Sequence, residues 1–513
     1  MSPTASRPTA RNLGSALVAL VVAAACTVTA TLADPRPARA APPDSIVLGM
    51  VLEPPHLDPT AGAAGAIDEV VYANVFEGLT RIAHDGTVLP GLAQRWDVSD
   101  DGLVYTFHLR RDVLFHDGTA FTADDAVFSL QRAIDTDSVN AQKGLFAAID
   151  SAVALDGYTL IVALSHPQAL LPFNLGWGDA VMVAPESADT NRTAPVGTGP
   201  FRFVRWVQGD RVELDAFPDY WGEAPALKAA TVRFIPDPAA AVAGLMAGDV
   251  DAFPNMPAPE SLPALEADPR FTVSVGTTEG ETILAMNHRR PPLDDIRVRR
   301  AIAHAIDRRA LIDGAMFGYG TPIGSHFAPH HPAAVDLTSL SAHDPERAKA
   351  LLAEAGIAPG SLTLTLHLPP PSYARRGGEI IAAQLAEVGI TAKVIPVEWA
   401  QWLDQVFRGH DYDLSIVSHT EPLDIDIYER GDDYYFGYEN PDFEAVMADL
   451  RVTTDTAARA ALYGRAQRLL AEDAVNGFLF QLPKTGVWDA RLRGLWTNSP
   501  IQANDLTGVS WTE

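Results

Sequence analysis

Between residues 71 and 130 the apolar positions change period, from strict alternation to helical spacing. Val104, Thr106 and His108 alternate with Tyr105, Phe107 and Leu109, which predicts a strand with one buried face. Asp-Gly pairs stand at 85–86, 101–102, 117–118 and 156–157, and each supplies the positive φ that a tight hairpin turn needs. Thr122, with Asp125 three residues on, caps a helix whose Val127, Leu130 and Ile134 share a face. The pattern predicts a hairpin-rich insert with one helix.

The flanking regions read differently. A strand is predicted at Ile46 to Leu52 and a helix from about Ile67 to Phe76. The strand Thr231 to Ile235 leads to Asp237-Pro238, an N-cap with proline at the first helical position, and Gly248 stops that helix after Ala247. A short strand follows at Val250 to Phe253. Farther on, one helix is predicted over Ile296 to Asp313 and another from Asp344-Pro345 to Gly356. The strand Leu362 to Leu368, a helix from Glu379 to Val388 stopped by Gly389, and strands at Thr391 to Val397 and Asp411 to Val417 complete the region. This strand–helix–strand alternation predicts an α/β fold with a partly parallel sheet.

Composition narrows the function classes. A chain of 513 residues is long enough for two or three domains, and 47% hydrophobic with 20% charged residues is globular. The net charge of −27 disfavours nucleic acid and anionic lipid as partners. Arg7 and Arg11, the apolar stretch Leu13 to Ala33, and Ala38-Arg39-Ala40 form an export signal over residues 1–40. The single cysteine, Cys26, excludes an internal disulfide. Preceded by Ala23-Ala24-Ala25, it also reads as a degenerate lipidation site, so cleavage after Ala40 and anchoring at Cys26 both stand open. A secreted hydrolase is disfavoured: the chain has no Gly-x-Ser-x-Gly elbow, no His-Glu-x-x-His helix and no catalytic-type cysteine.

Short motifs recur along the mature chain: Leu57-Asp58-Pro59, Phe76-Glu77-Gly78-Leu79, Leu89-Pro90-Gly91-Leu92-Ala93, and Phe107-His108-Leu109-Arg110 running into His116-Asp117-Gly118. Then come Gly197-Thr198-Gly199-Pro200-Phe201, Tyr220-Trp221-Gly222, Gly248-Asp249-Val250-Asp251, Asn287, the run Pro292 to Arg299, and Asp344-Pro345. In this order and spacing they resemble the family 5 extracellular solute-binding proteins, the peptide-type receptors of ABC importers. The resemblance implies an α/β fold of the periplasmic-binding-protein type II class. Two large α/β lobes would be joined by a two-segment hinge, with a smaller α+β lobe inserted. Lobe I would comprise 45–84, 194–282 and 480–513, lobe II 85–193, and lobe III 283–479, with hinge crossings at 281–287 and 480–483. It further implies a monomeric, exported protein, periplasmic or on the cell surface. No catalytic residue and no cofactor are implied. The cleft would hold a peptide or similar small polar solute for delivery to a permease and its ATPase. Nickel chelates, opines and sugars are the alternative solutes within the family. An extracytoplasmic sensor would share the fold and differ in its partner.

Ligands of α/β domains meet the carboxyl ends of strands. This directs attention to Ser418 to Tyr428, which holds His419, Glu421, Asp424, Asp426 and Tyr428. In peptide-binding relatives an Asp of the corresponding segment receives the peptide amine. The wording here differs, so Glu421, Asp424 and Asp426 all stand as contenders, for an ammonium, a guanidinium or a metal ion. The plainer alternative is a solvated acidic loop. Tyr434, Tyr435, Phe436 and Tyr438, with Trp399 and Trp402, are candidate cleft walls or core residues. Glu53, in Glu53-Pro54-Pro55-His56, is a candidate cleft edge or a turn residue. His326, His330 and His331 form a loop with either transition-metal or cleft-lining character.

Overall fold

Two long strands, Phe271–Met286 and Asn476–Asp489, run antiparallel and carry one sheet through both halves of the molecule. In this computed structural model, residues 44–62, 64–421, 424–453 and 455–512 are described. The export signal and Cys26 lie outside them. On one side of the long pair come Leu414–His419, Leu362–Leu368 and Ile390–Pro396. On the other come Ala252–Phe253, Ser45–Met50, Ala229–Phe234, Arg211–Ala216 and Phe201–Val207. Leu362–Leu368 is parallel to both its neighbours, and Ser45–Met50 is parallel to Ala229–Phe234, as the βαβ alternation predicts.

Backbone pairing of the long strands lapses between Thr277 and Glu281. Side chains take over there. Gln481 Nε2 donates to Thr278 O at 2.9 Å and to Leu482 O at 2.6 Å, and Thr278 Oγ1 donates to Leu482 O at 2.5 Å.

The insert is a second, antiparallel sheet in the order Ala93–Val98, Val104–Leu109, Thr159–Leu164, Ile149–Asp156. Tyr105, Phe107 and Leu109 are buried, and the intervening positions are half-buried, as the alternation predicts. Helix Ala123–Ile134 starts in the predicted capping box, with Thr122 N donating to Asp125 Oδ2 at 2.7 Å. Gly86, Gly102 and Gly118 take φ of 82°, 70° and 88°. Gly157 does not adopt a positive φ; Asp156 secures that turn by accepting from Tyr158 N at 2.8 Å.

Three other expectations need correction. The single helix over 296–313 is two, Ile296–Ala305 and Arg308–Met316, because the Asp307 carboxylate caps the second by accepting from Arg309 N and Ala310 N. The first helix is Gly65–Val71 and ends before Tyr72, whose hydroxyl donates to Gly176 O at 2.6 Å and accepts from Ile82 N at 3.1 Å. The helix predicted from 379 begins at Ser372 and runs to Glu387. Gly377 and Gly378 obscured its start, and Leu368 packs so closely on Gly378 that a Cβ there would overlap it.

Separate motifs meet in space. The buried Glu77 carboxylate accepts from Thr198 Oγ1 at 2.9 Å, Tyr220 Oη at 2.9 Å and Trp221 Nε1 at 2.8 Å. The apolar core of the insert is continuous with that around Ile46, Leu48, Phe76 and Val232, whereas residues 283–480 build cores of their own. All described residues belong to one compact unit. Among them no helix is long and apolar enough to cross a membrane.

Candidate functional site

Strand Leu414–His419 enters the sheet beside Phe271–Met286, with His419 opposite Glu281 and Ser418 opposite Thr282. Past its carboxyl end the chain leaves the sheet, and Asp424 opens the 3-10 turn Ile425–Glu429. A cavity of about 260 Å³ lies here, walled on one side by Glu421, Asp424 and Asp426 and on the other by Trp177, Asn174 and Leu145 of the insert. The three acidic contenders therefore share one wall.

Each is held differently. Asp424 Oδ1 lies 2.7 Å from His326 Nε2, whose ring packs edge-on to Tyr428. Glu421 Oε2 accepts from Thr420 N at 3.1 Å. Asp426 Oδ2 accepts from Arg430 Nη2 at 3.0 Å, and the guanidinium lies over the Tyr434 ring. Behind them, Glu281 Oε1 is 4.0 Å from His326 Nε2. His419 Nε2 is 2.9 Å from the Tyr435 hydroxyl, and burial pushes its imidazole down to about 4.

Arg430, Arg451 and Arg459 also line the cavity, but Arg430 is engaged with Asp426, Arg451 with Glu429, and Arg459 with the carbonyls of Leu450 and Thr453. Burial, reinforced by Asp424, holds both Glu281 and Glu421 above the usual carboxylate range. Asp68 and Asp179 are raised in the same way, by burial first and then by repulsion from neighbouring acids that include Glu421. Several buried polar atoms have no hydrogen-bond partner: Glu281 Oε2, Asp68 Oδ1, Ser418 Oγ and Trp177 Nε1. Unpaired buried polar atoms are rare and cost about 1–3 kcal/mol each. A guest that carries positive charge and hydrogen-bond donors offsets that cost at the carboxylates. Two groups bring nitrogen and oxygen ligands within metal-binding reach, Glu281–His326–Asp424 and His419–Glu421–Asp424.

The remaining sequence candidates stand elsewhere. Tyr428 and Tyr435 are buried core residues, at 1% and 0% exposure. Trp399 stacks on Trp402 at 5.1 Å, and Trp402 Nε1 donates to Ser415 Oγ, so the pair forms a helix-to-sheet contact. Glu53 is exposed and committed to Trp206 Nε1 and Gly209 N at 2.9 and 2.8 Å. His330 pairs with Glu279 at 2.7 Å, and His331 stacks on Phe327. None of these seven lines the cavity. Asp68, Asp179, Glu281 and Trp177 were not singled out from the sequence. Two signals existed: Glu281 begins the crossing segment 281–287, and Gly178 precedes Asp179 within an apolar stretch. Asp68 presses so closely on Gly178 that a Cβ there would overlap its carboxylate.

Known proteins share this architecture. The family profile for bacterial extracellular solute-binding proteins, family 5 (middle), matches residues 87–426. The dipeptide-binding protein of Escherichia coli (strain K12) is 30% identical over 435 residues, covering 75% of this chain and 79% of its own. Among solved structures, the binding protein AgaA of A. tumefaciens R10 in complex with agropinic acid superposes with a TM-score of 0.83 at 25% identity, covering 91% of this chain and 99% of that one. The ABC transporter-associated periplasmic binding protein DppA from Helicobacter pylori, in complex with the peptide STSA, gives 0.82 at 25% identity, covering 91% and 98%.

Proposed function

We propose, for a chain that belongs to the family 5 bacterial extracellular solute-binding proteins, that it is an ABC-importer receptor taking a small peptide or similar polar solute by its cationic amine. The carrying observation is the acidic wall, where Glu421 and Asp424 face a cavity and Glu281 is buried behind them with an unpartnered oxygen. An ammonium placed there makes charge-assisted hydrogen bonds with carboxylates that otherwise repel one another. The bound solute leaves chemically unaltered.

Closure follows from the same layout. The lobes bounded at 85–193 and at 283–479 meet across the cavity, and the lobe of 45–84, 194–282 and 480–513 joins the latter through the two long strands. Arg376 of helix Ser372–Glu387 bridges to Glu260 with hydrogen bonds of 3.0 and 2.9 Å, and Gln502 bonds Thr420. A solute favours this arrangement only through contacts made in it and not in the open one. The receptor acts as an exported monomer that hands solute to a permease. It is either cleaved after Ala40 or anchored at Cys26, two fates that the mass of the mature N-terminus separates.

A thermal-shift series tests the amine reading. Di- and tripeptides with a free amine raise the unfolding midpoint, by about 2.7 kcal/mol of added stability at a hundredfold excess over Kd. Their N-acetylated counterparts do not. Equal shifts from acetylated and free peptides refute the assignment, and a shift only from opines or sugars transfers the receptor to that solute class.

A further inference from the structure

We propose that Glu281, His326 and Asp424 form a site for a first-row divalent transition cation at the back of the acidic wall. One ligand atom from each lies within 4.8 Å of the others. An ion held by nitrogen and oxygen at about 2.0–2.2 Å needs donors roughly 3–4.4 Å apart. The 4.0 Å between His326 Nε2 and Glu281 Oε1 already meets this. The 2.7 Å between His326 Nε2 and Asp424 Oδ1 is a hydrogen bond, and about half an ångström of opening admits the ion.

A second, independent observation points to a guest here. Glu281 Oε2 is buried without a hydrogen-bond partner, on a side chain only 3% exposed. The Glu281 backbone is paired on both sides, to His419 and to Gln481, so the side chain departs from a fixed point of the sheet. The His326 side chain is 1% exposed and held edge-on against Tyr428 at 5.2 Å. The donors are therefore pre-positioned on a sheet and a packed ring.

Donor chemistry selects the cation class. One imidazole with two carboxylates suits manganese, iron, cobalt, nickel or zinc in the divalent state, whereas magnesium and calcium prefer all-oxygen shells. Arg430, a guanidinium of the same wall, is engaged with Asp426. Neither of the other two histidines of the loop takes part, since His330 pairs with Glu279 and His331 stacks on Phe327. The site shares Asp424 and the unpartnered oxygen of Glu281 with the amine reading, but His326 belongs to it alone, and neither Glu281 nor His326 lines the cavity where the amine would sit.

Calorimetric titration of chelator-treated protein tests this with no solute present. Zinc, nickel, cobalt and manganese ions should bind one per chain and raise the unfolding midpoint, with magnesium and calcium inert. Glu281→Gln and His326→Gln should each weaken binding by at least the roughly 10- to 100-fold that loss of an outer-sphere partner costs. His330→Gln and His331→Gln should leave it unchanged. Absence of saturable binding by the unsubstituted protein overturns the site whatever the variants do. So does binding that survives both Glu281→Gln and His326→Gln, which marks an adventitious surface ion only. Peptide-induced stabilisation in the metal-free protein reports separately on the amine reading, so either idea can fail alone.

Discussion

Replacing Glu421 by Gln removes one negative charge from the wall while keeping size and one acceptor. A hydrogen bond to a charged group contributes about 1.5–3 kcal/mol net. At about 1.4 kcal/mol per decade, Glu421→Gln should weaken a free-amine peptide by roughly 10- to 150-fold, and Asp424→Asn by a similar factor. Protons sharpen the test. Burial, and then the charge of Asp424, hold the Glu421 carboxyl above its ordinary 4.5. Between that value and its raised pKa the free receptor is partly protonated, and an arriving ammonium expels the proton. Affinity should therefore tighten as pH rises through this window. Calorimetry in two buffers of different protonation enthalpy should register proton release, which diminishes in Glu421→Gln. Unchanged Kd in both variants, together with buffer-independent heats, would refute the placement of the amine at this wall.

The acids also govern the unliganded protein. Because Asp68, Asp179, Glu281 and Glu421 bind protons more tightly folded than unfolded, their share of apo stability is complete below the ordinary pKa values of 3.8 and 4.5 and is lost as pH climbs through the raised ones. Asp179→Asn should make that slope shallower in denaturation curves taken across pH; an unchanged slope counts against the buried repulsion. Arg376→Ala should weaken solute binding about 2- to 5-fold, the equivalent of roughly 0.5–1 kcal/mol for a half-exposed ion pair, and high salt should produce a similar loss in the unsubstituted protein. Glu77→Ala strands the donors of Thr198, Tyr220 and Trp221 and should cost about 2–3 kcal/mol by urea midpoint, without changing metal titration of the folded protein.

Local chemistry was legible in the chain. The capping box at Thr122 and Asp125 and the Asp237-Pro238 start with its Gly248 stop act between residues a few positions apart, so spacing alone reveals them. The break at Asp307 escaped because an apolar helical period continues across it, and only the capping geometry separates the two helices. At the candidate site, the acidic segment after strand Leu414–His419 was legible through the rule that strand ends carry ligands. Its counterparts were not, since Asp68, Asp179 and Glu281 come together across more than 100 residues of chain. The aromatic candidates show the converse limit. Tyr435 and Trp399 have the composition of a cleft wall, but Tyr435 is buried in the core and Trp399 is half-buried against Trp402, placements that linear order does not carry.

The lapse in pairing between Thr277 and Glu281 has a mechanical meaning. Elsewhere the long ribbon is stiffened by amide bonds that resist bending out of plane, whereas at Thr278 the restraint passes to Gln481 and to a threonine hydroxyl, groups that swivel about single bonds. A second irregularity follows at Thr282 and Ile283, so the ribbon's amide ladder is interrupted twice within a few residues. A torque applied to the two ends of the ribbon meets its weakest backbone ladder there, so its twist is set by a few side-chain rotors.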